Sequence, residues 1–255
     1  MPCAAIPLFS MPTWGPDVGV LLELKGLVAG YGAGDILLGI DLAVDEESLT
    51  CIVGPNGAGK STVLRVISGL LRPTRGSVRF RGESIAALSP RSILNRGIVH
   101  VPQERSLFPT MTVWENVRLG AYTLRDRGLV ERRLAAVAET FPVVKERRHE
   151  LAASLSGGQQ KIVEFARAMM LDPLLLILDE PSMGLDPKTR TTVFNTIRTM
   201  NDAGHTVLLV EQNARSGLGI ASHGVVMESG RIRLEGTGPD VLGNPEIGRL
   251  YLGAA

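Results

Sequence analysis

Cysteine is scarce: Cys3 and Cys51 are the only two in 255 residues. That excludes a disulfide framework, and Cys51 reads as a buried strand residue of a reduced protein. An excess of either charge is missing too. A formal net charge of +1 gives no general attraction to nucleic acid, and no polybasic run marks a lipid-surface anchor. No apolar run approaches the ~18 residues of a membrane span, so any crossing of a bilayer is left to other chains. Residues 1–20 hold scattered proline and glycine with Trp14, without the basic leader or apolar stretch of a secretory signal. They are expected to form a flexible extension, or to stem from a start codon placed too early. Internal repeats and low-complexity tracts are also missing. Aromatic residues make up 4% against 44% hydrophobic, which suits an aliphatic α/β core with room for an inserted subdomain.

What is present begins with Gly54-Pro55-Asn56-Gly57-Ala58-Gly59-Lys60-Ser61-Thr62. Thr50 to Val53 before it is a short apolar run, readable as a buried strand. Val63, Val66, Ile67 and Leu70 after it recur at helical spacing. This is a phosphate loop in the strand–loop–helix context that the motif requires. The glycines let backbone N–H groups curl inward toward phosphate oxygens, and the helix N-terminus points its free amides at the same anion. Lys60 is expected to reach the β- and γ-phosphates of ATP, and the Ser61 hydroxyl to ligate Mg²⁺.

Leu174 to Leu178 is a continuous apolar run, fit for a central parallel strand, and it ends in Asp179-Glu180-Pro181. Ligand chemistry in such sheets lies at the carboxyl ends of the strands. Asp179 is therefore expected to bind Mg²⁺, and Glu180 to orient and deprotonate the attacking water.

A third segment discriminates among phosphate-binding proteins. Leu155-Ser156-Gly157-Gly158-Gln159-Gln160 precedes a helix-like stretch from Lys161. Ser156 suits an N-cap, and the glycines permit close approach, giving a second anion-binding helix start in one chain. This segment resembles the signature of ATP-binding cassette (ABC) ATPases. In that family, two subunits face head to tail, and each ATP lies between one subunit's phosphate loop and the other's signature. The resemblance implies that Ser156, Gly157, Gly158 and Gln159 contact a partner's nucleotide.

Further landmarks carry the resemblance from about Leu22 to the C-terminus. Tyr31 stands where the family places an aromatic against adenine. Gln103, within Val101-Pro-Gln-Glu-Arg, matches the glutamine that senses Mg²⁺ and the attacking water. Ser182-Met-Gly-Leu-Asp186 resembles the loop that crosses the dimer interface. One landmark departs. After Val207–Val210 and Glu211, most members carry a histidine at the γ-phosphate; here it is Gln212, which can donate a hydrogen bond but cannot become a cation. The resulting hypothesis is that this chain's own site is altered and that another subunit supplies a full histidine site. His100, His149, His205 and His223 do not fill the slot and read as structural or surface residues.

Leu209-Val-Glu-Gln-Asn213, Leu107-Phe-Pro-Thr-Met-Thr-Val and the Tyr251-Leu-Gly ending are similar to one branch, the smaller (LivF-type) ATPase of branched-chain amino acid importers. The resemblance implies a second ATPase subunit, as a heterodimer or else a homodimer, two membrane permeases, and indirectly a solute-binding protein. It implies a peripheral place on the cytoplasmic face of the membrane and no nucleic-acid partner. Related systems carry urea or short amides. A soluble ABC ATPase would carry two cassettes or a long coiled-coil insertion, and a phosphate-loop kinase would have no use for the signature. Hydrolysis by the isolated chain is expected to be poor, because half of each site is missing.

The fold class that follows is α/β: a P-loop (RecA-like) ABC ATPase core with an N-terminal antiparallel β-subdomain and an inserted α-helical subdomain. The core spans about 21–103 and 157–255, and the helical insert about 104–156. Within the insert, helices are expected over Trp114–Ala121 and Glu131–Thr140, with charged linkers near Arg125–Arg127 and Glu146–Glu150. Its arginines (Arg132, Arg133, Arg147, Arg148) read as a solvated face. Beyond Gly157, a helix around Arg190–Asn201 ends at Gly204, and Gly224–Gly236 reads as a hairpin turned at Ser229-Gly230 before a short terminal helix.

Overall fold

Two long strands, β1 (Val20–Tyr31) and β2 (Gly34–Asp45), form an antiparallel pair with a register shift around Gly26, whose φ is +55°. Next come β3 (Leu49–Val53), the helix α1 (Lys60–Ile67), β4 (Arg75–Phe80), the two-residue β5 (Glu83–Ser84), α2 (Pro90–Leu94) and β6 (Ile98–Val101). This computed structural model describes residues 19–32 and 34–247. Most of the expected N-terminal extension, with Cys3 and Trp14, and the Tyr251-Leu-Gly ending lie outside the described residues.

The insert follows as α3 (Val113–Leu119), α4 (Arg127–Thr140), α5 (Pro142–Glu146) and a 3₁₀ turn at Ala152–Ser154. After it come α6 (Gly157–Met169), β7 (Leu175–Asp179), α7 (Pro187–Asp202), β8 (Thr206–Glu211), α8 (Ala214–Leu218), the hairpin β9 (His223–Glu228) and β10 (Arg231–Thr237), and α9 (Gly238–Gly243). One sheet has the order β2-β1-β4-β5 and is antiparallel. The other runs β10-β9-β3-β8-β7-β6, parallel except for the edge strand β10.

The buried central strands explain the apolar runs. Every residue of β3, β7 and β8 is buried, as a parallel sheet covered on both faces requires. Alternate residues serve opposite layers. Leu176 and Leu178 join Phe165 of α6 and Val193 and Ile197 of α7. Leu175 and Ile177 join Val63 and Leu64 of α1 and Leu22 and Leu24 of β1. All five parallel strands therefore end at one edge, where the loops after β3, β7 and β8 meet.

Several boundaries differ from the sequence expectations. Leu70 is not on the first helix. The chain leaves α1 at Ile67, Gly69 takes φ +70°, and Leu70 is exposed. The stretches expected as charged linkers are partly helical. Asp126 caps α4 by accepting from Gly128 and Leu129 N–H, so the helix starts at Arg127. Pro142 likewise opens α5, in the first-turn position where a missing N–H costs nothing. Arg133 is only partly solvated, donating to Met170 O at 3.1 Å and facing Asp172. The hairpin at Ser229-Gly230 and the short helix after it form as expected. Among the described residues, no helix is long and apolar enough to cross a membrane.

Candidate active site

The phosphate loop joins β3 to α1 and is built on left-handed backbone. Gly57 has φ +82° and Gly59 φ +101°, conformations that cost a side-chain-bearing residue about 1–2 kcal/mol. No side chain caps α1, so its first N–H groups have no competing side-chain acceptor, as an anion site requires. The loop is held from behind by the β9–β10 hairpin. Gly230 N–H donates to Ala58 O at 3.0 Å, and its carbonyl accepts from Leu38 N–H at 2.8 Å. A Cβ on Gly54 would lie 2.3 Å from Met227 O. Sequence reading found the hairpin but not this buttress.

Lys60 is 4% exposed, and its ammonium has three oxygen neighbours. It donates to Gly54 O at 2.8 Å and Pro55 O at 3.2 Å, and it stands 3.4 Å from Glu180 Oε1. Gln103, just beyond β6, donates its side-chain N–H to Glu180 Oε2 at 3.1 Å. Ser61 Oγ donates to Asp179 Oδ1 at 3.2 Å. Burial pushes the Asp179 carboxyl up, and the Ser61 bond opposes that rise. Together Ser61 and Asp179 offer the hard oxygen donors that a divalent cation such as Mg²⁺ takes. Glu180 itself has φ +43°, a strained conformation for this residue type and one that clusters at functional sites.

Gln212 is exposed beyond β8 and lines a cleft of about 340 Å³ with Glu180, Ser182, Met183 and Arg190. Tyr31, at the end of β1, is 45% exposed. Its hydroxyl accepts from Arg65 Nη1 at 2.9 Å, with the guanidinium 5.8 Å from the ring centre. Arg65 lies on α1, so Tyr31 is fixed to the phosphate-loop helix.

Ser156 caps α6 in a reciprocal box: its hydroxyl accepts from Gln159 N–H, and Gln159 Oε1 accepts from Ser156 N–H. The Gln159 side chain is thus used locally. A Cβ on Gly158 would lie 2.0 Å from Thr189 Cγ2, and Gly157 faces Leu185, so this helix start packs on the beginning of α7. Among the described residues, no hydrogen bond joins it to the phosphate loop.

Two buried polar groups escaped the sequence reading. Glu164 Oε1 accepts from both Ser106 N–H at 2.6 Å and Ser106 Oγ at 3.0 Å. Arg167 donates to Ser106 O at 2.8 Å and also to Ser106 Oγ, and Lys161 Nζ is 2.6 Å from Glu164 Oε2. Helix α6 therefore grips the loop three residues after Gln103. The second group is Glu211, which accepts from Ser182. An acid directly after the apolar run Val207–Val210 was its available signal.

The family model described as ABC transporter matches residues 37–183, a span holding the phosphate loop, the α6 start and the β7 acids. The chain is 38% identical to the high-affinity branched-chain amino acid transport ATP-binding protein BraG of Pseudomonas aeruginosa, over 91% of this chain and 100% of that one. It is 32% identical to the lipopolysaccharide export system ATP-binding protein LptB of Haemophilus influenzae, over 91% and 97% of the two chains. Its structure is similar to MJ1267, an ATP-binding cassette of an ABC transporter solved in its ADP conformation. The TM-score is 0.84 at 29% identity, with 92% of this chain and 100% of that chain covered. A family match over more than half the sequence, relatives aligned nearly end to end and a shared fold agree with the geometry above: the chain belongs to the ABC transporter family and is an ATP-binding, ATP-hydrolysing subunit of a transporter.

Proposed function

We propose that this chain is one ATPase subunit of a branched-chain amino acid importer. The observation that carries the catalytic part is convergence: Lys60 and Gln103 both reach the Glu180 carboxylate, and Ser61 reaches Asp179 beside it. The loop from Gly54 to Gly59, with Lys60, Ser61 and Thr62, binds the phosphates. Tyr31 supports adenine. Glu180 takes a proton from the attacking water, which Gln103 helps to place. Ser61, Asp179 and Gln103 would hold Mg²⁺, which would supply positive charge beside the phosphates. Gln212 donates a hydrogen bond toward the γ-phosphate.

Ser156, Gly157, Gly158 and Gln159 serve a partner's nucleotide rather than this chain's own. ATP between two such faces favours the closed dimer, because it adds contacts that the open state lacks. In this reading, residues 21–255 form one ABC ATPase domain, and the insert at about 104–156 transmits closure to two permeases from the cytoplasmic face of the membrane. The partner ATPase is a second, different chain, and the solute is supported by the likeness to BraG.

The test is affinity capture of the chain from its native membranes in detergent, followed by uptake assays in liposomes. Two permeases, a second ATPase with a histidine at the switch position and ATP-dependent leucine uptake are expected. Uptake of urea or short amides instead would keep the machine and replace the solute. Capture of soluble partners alone would discard transport through permeases as this chain's role.

A further inference from the structure

Glu211 closes β8 and is 2% exposed. Its two oxygens take both donors of one residue: Oε1 accepts from Ser182 N–H at 3.1 Å, and Oε2 from Ser182 Oγ at 3.0 Å. Ser182 is 5% exposed, so both bonds lie away from water, where losing a partner costs most. Ser182 follows Glu180 by two residues, and Glu180 N–H itself donates to Val210 O at 2.9 Å. The ends of β7 and β8 are thus tied twice in succession, once through backbone and once through a carboxylate. Glu180, at φ +43°, is held between those ties. Room for the acid is made by Gly217 on α8, where a Cβ would lie 3.1 Å from Glu211 Cβ and 2.6 Å from Cys51 Sγ. A buried carboxylate is costly unless its hydrogen bonds are made.

We infer that Glu211 is a positioning residue for ATP hydrolysis: by gripping Ser182 from the neighbouring strand, it holds Glu180 in its left-handed backbone conformation with the carboxylate between Lys60 and Gln103. The inference rests on Glu180 being the base, as proposed above. The ionisable groups around Glu211 are Glu180 in the loop after β7, Cys51 on β3, and Arg190 of α7, which lines the same cleft. Burial pushes the Glu211 carboxyl up to about 7, the Glu180 charge adds to the rise, and the bonds from Ser182 and from the Asn213 backbone N–H oppose it. The ionised form accepts both Ser182 bonds at full strength, and protonation weakens the grip.

The experiment uses the full chain with Glu211→Gln, Ser182→Ala, their double variant and Glu180→Gln. Binding is read with a fluorescent ATP analogue and Mg²⁺, and hydrolysis by phosphate release over hours with enzyme in excess of ATP. Glu211→Gln and Ser182→Ala each slow hydrolysis about tenfold, while affinity changes by less than about twofold. The double variant is no slower than the slower single one, because both act through one contact. The wild-type advantage over Glu211→Gln shrinks as pH is lowered from about 8.5 to about 6, across the Glu211 titration. An unchanged rate in Glu211→Gln, additive effects in the double variant, or a pH-independent ratio would overturn the inference while Glu180→Gln still abolished hydrolysis. Loss of both binding and rate in Glu211→Gln, with Ser182→Ala normal, would reduce Glu211 to a structural residue and overturn it as well. Full hydrolysis by Glu180→Gln is the separate outcome in which the base assignment fails and takes this inference with it.

Discussion

Lys60 Nζ lies 3.4 Å from Glu180 Oε1, with both side chains almost wholly buried. The pair joins the start of α1 to the end of β7, so the expected phosphate-binding cation and the expected base hold each other in place. Removing the cation leaves a buried carboxylate without its partner, a change that costs about 3 kcal/mol or more. Lys60→Ala is therefore expected to melt earlier than wild type and to lose the upward shift that ATP gives the wild-type chain. Thermal unfolding with and without nucleotide reads both. A variant that ATP still stabilises fully would remove Lys60 from the phosphate site.

Gln103 donates to the other Glu180 oxygen at 3.1 Å. A hydrogen bond to a charged acceptor is worth about 1.5–3 kcal/mol, or roughly tenfold to a hundredfold in rate if it is needed in the transition state. Gln103→Ala is expected to lower turnover by that factor with little change in ATP affinity. Equal losses in binding and turnover would make Gln103 a general support of the pocket rather than a partner of Glu180.

The hairpin that backs the phosphate loop gives a prediction at a distance from ATP. Gly230 has φ +76°, and a Cβ there would lie 2.0 Å from Ile36 O. Gly230→Ala is expected to cost about 2 kcal/mol or more and to weaken ATP binding, because the Gly230 N–H holds Ala58 O. If melting temperature falls while the affinity for a labelled ATP analogue stays unchanged, the hairpin supports the sheet and not the loop.

His100 supplies a pH dependence. Ser68 Oγ is 2.9 Å from its Nδ1, and burial, with Arg65 nearby, lowers its pKa to about 4. The folded pKa is thus depressed below the unfolded value of about 6.5. Its contribution to stability is complete above the unfolded pKa and is lost as pH falls toward the folded one, by up to about 3 kcal/mol. His100→Gln is expected to flatten that part of the stability–pH curve between about pH 6.5 and 4. Denaturant midpoints measured across the range provide the check. An unchanged curve would show that the His100 pKa is not depressed by folding.

Gln212 stands where the family resemblance leads one to expect a histidine, and it is exposed on the cleft beside Glu180. If this chain's own site is altered by that exchange, Gln212→His is expected to raise turnover of the assembled complex. The same turnover in variant and wild type would remove the main support for one weakened site beside a complete one.

The readable parts of this molecule were those where local chemistry and tertiary burial coincide. Leu175–Leu178 and Val207–Val210 are apolar because both faces are covered, and Ser156 stands where a helix needs a cap. The length of β1 was less legible, since the shift around Gly26 breaks its alternation. The α4 boundary was missed because Arg127 and Gly128 look like linker, while the Asp126 cap decides the start. At the site, the motif residues were read by position. Their supports were not, because Glu211–Ser182, Gly230–Ala58 and Glu164–Ser106 join segments far apart in sequence.

Ser106 lies beyond β6, yet its bonds run to Glu164 and Arg167 of α6, and Asn116 of α3 pairs with Phe108 just after it. The segment just after Gln103 is therefore tied to the helical side, while Gln103 itself is bonded to Glu180 at the end of β7. A tilt of α6 against β7 is expected to change the reach of Gln103 toward Glu180, because Ser106 is bonded to α6. In the proposed importer, a partner docked on the helices would act on the Gln103–Glu180 contact through the bonds that α6 makes to Ser106.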